Sequence, residues 1–212
     1  AGLGMVAIWH DLLPEIRAEF HEWHNREHMP ERVGIPGFLR GRRYAVIGSG
    51  PEYFNLYEAN SIETLAGQDY LQRLNAPTPW TQRVVPSFRH VSRALCRVVF
   101  TQGVGSGGVM LTLRFAVPDA AAEALTNALC TRVLPPLPYK NGVSGVHLGI
   151  ADRAASSVET AEKRVRADTT LVPSWVVLIE GIGVPEVDAA CAELVPALQA
   201  AGAEHIEQSR YR

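Results

Sequence analysis

The pattern that most limits what this chain can fold into is its order of strands and helices, which reads twice. An alternating run at MVAIWHDL (5–12) precedes a helical pattern from about Pro14 to about Met29. Strands follow at GFLRGRRYAVIG (37–48) and YFNLYEA (53–59), then a helix at SIETLAGQDYLQRL (61–74) and a strand near SRALCRVVF (92–100). The remainder gives VMLTLRFAV (109–117), a helix over 118–134, GVSGVHLGIA (142–151), SWVVLIEGI (174–182), a helix over 185–202 and EHIEQSRYR (204–212). Each half is βαββαβ, and such internal repetition governs the whole fold.

Local punctuation agrees with this reading. Pro118-Asp119 and Pro185-Glu186 stand at helix starts, Gly202 at a helix end, and Gly48-Ser49-Gly50-Pro51 at a hairpin turn. Leu56-Tyr57-Glu58 and Leu178-Ile179-Glu180 lead into the second helix of their respective halves. A βαββαβ unit is ferredoxin-like, an antiparallel sheet with both helices on one face, and its bare face needs a cover. The expected fold is α+β, two tandem ferredoxin-like repeats packing sheet to sheet, over residues 1–102 and 109–212, with Gly103–Gly108 as linker. The polar insertion DRAASSVETAEKRVRADTTLVP (152–173) breaks the symmetry and reads as an exposed arm or mobile flap, a lid being the alternative.

Composition excludes several classes of partner. A formal charge of −2 and a pI near 6.4 leave no basic stripe for nucleic acid. No apolar run approaches the roughly 20 residues that span a bilayer, so no membrane partner is expected. The N-terminus has no basic leader pattern, and Cys96, Cys130 and Cys191 form no C-x-x-C pair. A cytoplasmic location is expected. A small-molecule substrate is the expected partner, with a second copy of the chain in a homodimer as a further one.

The stretch HEWHNREHMPER (21–32) concentrates titratable groups. At 100° per residue, Leu13, Ile16, Phe20 and Trp23 share one helix face, Glu27 falls at its centre, and His21, His24 and His28 form a stripe along its edge. A carboxylate aimed at an apolar sheet must be paired, hydrogen-bonded or protonated, and such groups concentrate at sites. The reading is general acid–base chemistry on a small organic substrate. His28 or His24 is the base, Glu27 the acid or the orienter of a histidine, and Tyr57 a phenolic donor. Trp23, Arg43, Tyr44, Glu58 and Tyr70 complete the candidate binding residues. Alternatively, His24-Asn25-Arg26-Glu27-His28 matches the inverted zinc-peptidase pattern, with His24 and His28 as ligands and Glu58 or His90 as further ones. A third reading is a non-catalytic ligand-binding or assembly protein, with the Pro77–Phe88 segment as a packing strap.

The run Phe20-His21-Glu22-Trp23-His24-Asn25-Arg26-Glu27-His28-Met29-Pro30, followed by Gly34-Ile35-Pro36-Gly37 and a strand, resembles the EthD-like branch of the dimeric α/β-barrel superfamily. In that branch an aromatic-rich first helix ends in His-x-Pro, here His28-Met29-Pro30. The resemblance covers roughly Met5 to Phe100. In the second half Leu134-Pro135-Pro136-Leu137-Pro138 replaces the signature, so that half is expected to be scaffold. The resemblance implies a small-molecule enzyme of the isomerase, cyclase, dehydratase, other lyase or monooxygenase type. It is expected to work without an organic cofactor, a divalent metal or haem being the alternative.

Overall fold

The computed structural model of the chain describes residues 2–166 and 170–212. The first half begins with β1 (Gly4–Leu12) and a 3₁₀ turn (Pro14–Ile16), then α1 (Arg17–Trp23), a π turn (His24–His28) and α2 (Met29–Val33). It continues through β2 (Phe38–Ile47), β3 (Tyr53–Ala59), α3 (Ile62–Ala66), α4 (Gln68–Asn75), α5 (Pro79–Val84) and β4 (Phe88–Gly103). The second half comprises β5 (Val109–Ala116), α6 (Asp119–Ala128) with a π turn (Leu129–Val133), and β6 (Val143–Ala151). The short helices α7 (Arg153–Ser157) and α8 (Ala161–Arg164), β7 (Trp175–Gly181), α9 (Val184–Ala200) and β8 (Glu204–Tyr211) complete it.

Two compact units result, and they interleave along the chain rather than dividing at the glycine-rich linker. The first gathers the chain up to Tyr44, Pro51–Arg97 and Asp152–Val172; the second gathers Ala45–Gly50, Val98–Ala151 and Pro173–Arg212. In the first unit the strands run β4-β1-β3-β2, and in the second β8-β5-β7-β6, all antiparallel where their registers are defined. This is the ferredoxin-like order in each case, as expected of an α+β repeat.

The repetition extends to local irregularities. Met5 faces Glu58 across β1 and β3, and Met110 faces Glu180 across β5 and β7. The first strand of each half is bulged, between Trp9 and Asp11 and between Arg114 and Ala116. Each half's last strand carries a histidine at positive φ, His90 at 50° and His205 at 52°. Both first helices contain a π turn, in which Met29 N–H reaches His24 C=O and Leu134 N–H reaches Leu129 C=O.

Strand alternation sorts the side chains of the first unit. Val6, Ile8 and Leu12 of β1 join Tyr53 and Tyr57 of β3 and Phe20 and Trp23 of α1 in one core, so that β-face meets the helices. Trp9 stacks on Phe54 and Tyr44 stacks on Phe54 on the opposite face. The second unit has an apolar core between sheet and helices, built on Leu111, Leu125, Leu129, Val177, Ile179 and Leu194.

Four expectations are corrected. The helix does not stop at Met29-Pro30: Pro30 sits in the first turn of α2, directly after the π turn, where a missing N–H is tolerated. The helix expected over 61–74 breaks at Gly67, whose ψ of 161° is extended. The Pro77–Phe88 segment is helical over Pro79–Val84, with Thr78 Oγ1 accepting from Thr81 N–H as a cap. The 152–173 insertion, of which 167–169 lie outside the described residues, is no exposed arm. Ser156, Thr160 and Glu162 are buried, and the segment packs on the first unit. Asp152 N–H donates to Leu95 C=O, and Leu171 exchanges backbone hydrogen bonds with Val91 and Arg93.

Candidate active site

The π turn decides which side chains face the sheet. One extra residue per turn advances the helix by about 100°, so the residue five after Trp23 takes the inward place that a regular α-helix gives to the residue four after it. His28, 7% exposed, is therefore inside with His24, 2% exposed. Glu27, expected at the centre of the buried face, is instead half-buried against α5. Its Oε1 accepts from Thr78 Oγ1 at 2.5 Å and from Thr81 Oγ1 at 3.4 Å. Trp23 Nε1 donates to the same Thr81 Oγ1 at 3.2 Å, so Trp23 and Glu27 together fix α5 to the helix.

The inward side chains make a packed layer of rings. Trp23 lies 4.3 Å from His28, His24 lies 5.5 Å from His28 and 5.3 Å from Phe20, and Tyr57 lies 6.3 Å from His28. Tyr57 OH and His24 Nε2 are 3.3 Å apart. Two residues that the sequence reading did not single out belong to the layer. His10 stacks on Phe88 at 4.2 Å, and Asn55 Nδ2 donates to His10 Nε2 at 2.9 Å. Their signal was present: His10 continues the Val6, Ile8 alternation, and Asn55 stands midway between Tyr53 and Tyr57. His21, outside the layer, meets Tyr53 OH at 2.9 Å.

Burial keeps these imidazoles neutral. It pushes His10 down to about 3, and it pushes His24 and His28 well below the usual value. After burial, the neighbouring His28 acts on His24, and the charges of Arg32 and Arg166 act on His28. Burial likewise raises the Tyr57 phenol. His24 Nδ1, His28 Nδ1, Asn55 Oδ1 and Arg43 Nη1 are buried without a hydrogen-bond partner. Arg43 lies over the Phe20 ring at 5.6 Å.

Beside the rings the 152–173 segment closes an arginine-rich seam. Arg32 pairs with Glu162 and, at 3.1 Å, with Glu31; Arg166 Nη2 stands 3.6 Å from Glu162. Arg93 Nη2 donates to Tyr70 OH at 3.0 Å. Burial works against the Arg32 charge, but Glu162, Tyr70 and Glu31 outweigh it and hold this guanidinium above its usual range. Burial, only partly offset by Glu162, lowers Arg166 to about 10, with Arg93 and Arg32 adding to the effect.

The structure thus brings His24, His28, Tyr57, Trp23 and Arg43 to one layer and places Tyr70 in the adjoining seam. Tyr44 and Glu58 are elsewhere, because adjacent strand residues point to opposite faces. Glu58 accepts from Arg40 Nε at 2.5 Å with Arg42 at 3.6 Å, and Tyr44 packs on Phe54. His90 is exposed, 2.8 Å from Asp11. Neither suggested further ligand joins His24 and His28, and no group of three or more His, Cys, Asp or Glu suited to a metal occurs among the described residues. The charges acting on His24 and His28 are those of Arg43, Arg32 and Arg166, which oppose a divalent cation. Trp23 and Phe20 pack against the two imidazoles, 4.3 Å from His28 and 5.3 Å from His24.

The second unit supplies an internal comparison. Equivalent registers set His10 against Phe115, Asn55 against Val177 and Tyr57 against Ile179, and the matching π turns set His24 against Leu129. Where one unit is apolar, the other is polar.

Each unit is a ferredoxin-like α+β arrangement, and solved structures share this fold. A protein from Lactobacillus acidophilus NCFM ascribed monooxygenase activity superposes with a TM-score of 0.60 at 11% identity, over 99% of this chain and 93% of its own. An anthrone oxidase-like protein gives 0.58 at 15% identity, over 98% and 89%. A chlorite dismutase variant from Candidatus Nitrospira defluvii gives 0.55 at 10% identity, over 100% and 92%. At these identities the likeness is one of fold. No family model and no curated protein sequence matches the chain. No helix among the described residues is long and apolar enough to cross a membrane.

Proposed function

We propose that the chain is a cofactor-free small-molecule enzyme whose neutral His24 imidazole removes a proton from a phenolic or enolisable substrate held in the first unit. The observation that carries this reading is the internal comparison. The second unit shows that this fold is satisfied by apolar residues, yet the first spends buried space on His10, His24, His28, Asn55 and Tyr57. Polar groups so buried cost stability unless they are fully bonded, and several atoms here lack a partner that a ligand would supply.

The roles follow from the geometry. His24 Nε2–H donates to Tyr57 OH, which sets the tautomer with a proton-accepting Nδ1. Arg43, with Nη1 unpartnered, stabilises the enolate or phenolate as it forms. His28 receives or returns the second proton, which leads to an isomerisation, cyclisation or elimination. Reaction of the carbanion with molecular oxygen is the other continuation, and the names of the monooxygenase and anthrone oxidase-like neighbours favour it. The His28-Met29-Pro30 signature supports an EthD-like affiliation. So does Gly37, whose φ of +88° suits a turn that L side chains rarely adopt.

Deuterium uptake from D2O into a panel of enolisable ketones and phenols tests the first step whatever follows it. His24→Ala should slow uptake by roughly 100-fold or more. With the base held neutral far into acid, wild-type kcat/KM should stay level from neutral pH to below the usual imidazole range. Uptake that persists in the His24→Ala, His28→Ala double variant refutes the reading; an oxygen electrode then separates the two continuations.

A further inference from the structure

The second unit, expected to be scaffold, holds a chemically ordered polar constellation on the sheet face away from its apolar core. We propose that Thr101, His147 and Glu180 form a separate acyl-transfer site, with Thr101 Oγ1 as nucleophile towards activated esters that carry a short, uncharged acyl chain. Thr101 Oγ1 lies 2.8 Å from His147 Nδ1, and His147 Nε2 lies 3.4 Å from Glu180 Oε1. His147 is 8% exposed and Glu180 1%, whereas Thr101 is only half-buried and so reachable.

The three groups are in series, nucleophile to base to orienting carboxylate, which is the arrangement that activates a hydroxyl. Glu180 can only accept, so His147 carries its proton on Nε2 and turns the Nδ1 lone pair towards the Thr101 hydroxyl. Gly107 N–H donates to Glu180 Oε2 at 3.1 Å and holds the carboxylate in place. That approach requires glycine: a Cβ at Gly107 would stand 2.4 Å from the backbone N and O of Gly181. In the first unit the equivalent carboxylate, Glu58, is taken up by Arg40 and Arg42 instead, so this relay belongs to the second unit by its own residues.

At this end of the unit Val104 is 98% exposed, and its N–H donates to Ser144 C=O. No fixed cation of the relay faces outward to select a charged acyl group.

In the reaction, the Thr101 oxygen bonds to the acyl carbon as its proton passes to His147 Nδ1. The bond to the leaving alkoxide breaks, and His147 returns the proton to form the alcohol. Water, deprotonated by the same Nδ1, then attacks the acyl-threonine ester; the acid leaves and the Thr101 hydroxyl is restored.

The test uses p-nitrophenyl acetate and p-nitrophenyl butyrate with the full chain. Acid quenching during turnover of the acetate, followed by peptide mapping, should find an acetyl group on Thr101. Thr101→Val and His147→Gln should each slow ester hydrolysis by about 100-fold, while Thr101→Ser, which keeps the hydroxyl, retains it. His24→Ala should leave it unchanged, which separates this site from the one in the first unit. If a folded Thr101→Val variant, verified by its thermal transition, hydrolyses both esters at the wild-type rate, or if the acetyl group maps to another residue, the assignment is overturned.

Discussion

His10 lies under Phe88 with its pKa pushed down to about 3 by burial, and His24 and His28 are shifted the same way. The native imidazoles therefore bind protons less readily than the same groups in the unfolded chain, and stability is complete only above the unfolded value near 6.5. As pH falls below that value the unfolded chain takes up protons that the native layer refuses, and the native state loses ground. His10 alone should cost about 2 kcal/mol between pH 6.5 and pH 5, with His24 and His28 adding in the same direction. Urea titrations at pH 7 and pH 5 measure this, and His10→Gln should shrink the difference by about its share; equal stability at the two pH values would contradict neutral burial. Of these residues the helix spacing disclosed His24 and His28, and the strand YFNLYEA disclosed Tyr57. His10 and Asn55 stayed hidden because a lone polar residue in an alternating strand reads as part of an apolar face until its neighbour across the sheet is known.

At the scale of elements, most strands were legible because alternation and turn residues are local signals. The π turn was not, since it leaves the composition of a helix intact and changes only its phase; that is why Glu27 and His28 exchanged their expected places. The closure of the arginine seam was equally hidden, because Arg32 and Glu162 meet only through the tertiary fold. Their side chains are 3% and 5% exposed, and Arg166 shares the same carboxylate. Replacing Glu162 with Gln leaves buried guanidinium charge uncompensated and should cost about 3–5 kcal/mol. Chemical unfolding would register the loss, and limited trypsin cleavage at Lys163 should become faster as the segment loosens. Unchanged stability in Glu162→Gln would mean that the pair carries no such charge balance.

Across the whole molecule the two units share registers, bulges and π turns, and they differ in what fills the space between helix and sheet. The α+β repeat was readable from element order alone, whereas the assignment of 152–172 to the first unit needed the tertiary contacts. The comparison also sets function against stability. Giving the first unit the second unit's residues, as in Asn55→Val with His10→Phe and His24→Leu, removes buried polar groups together and should raise the melting temperature while abolishing proton exchange. A variant that stayed fully active, or that melted lower with activity intact, would show the polar layer to be structural. The segment between β6 and β7 has one more consequence, for how such a chain can change over generations. Two self-sufficient copies could be separated, swapped or recombined freely. Once a loop of one copy supplies the carboxylate that neutralises an arginine buried in the other, the copies cease to be interchangeable modules, and any crossover between them must carry both members of the pair or lose the fold's charge balance.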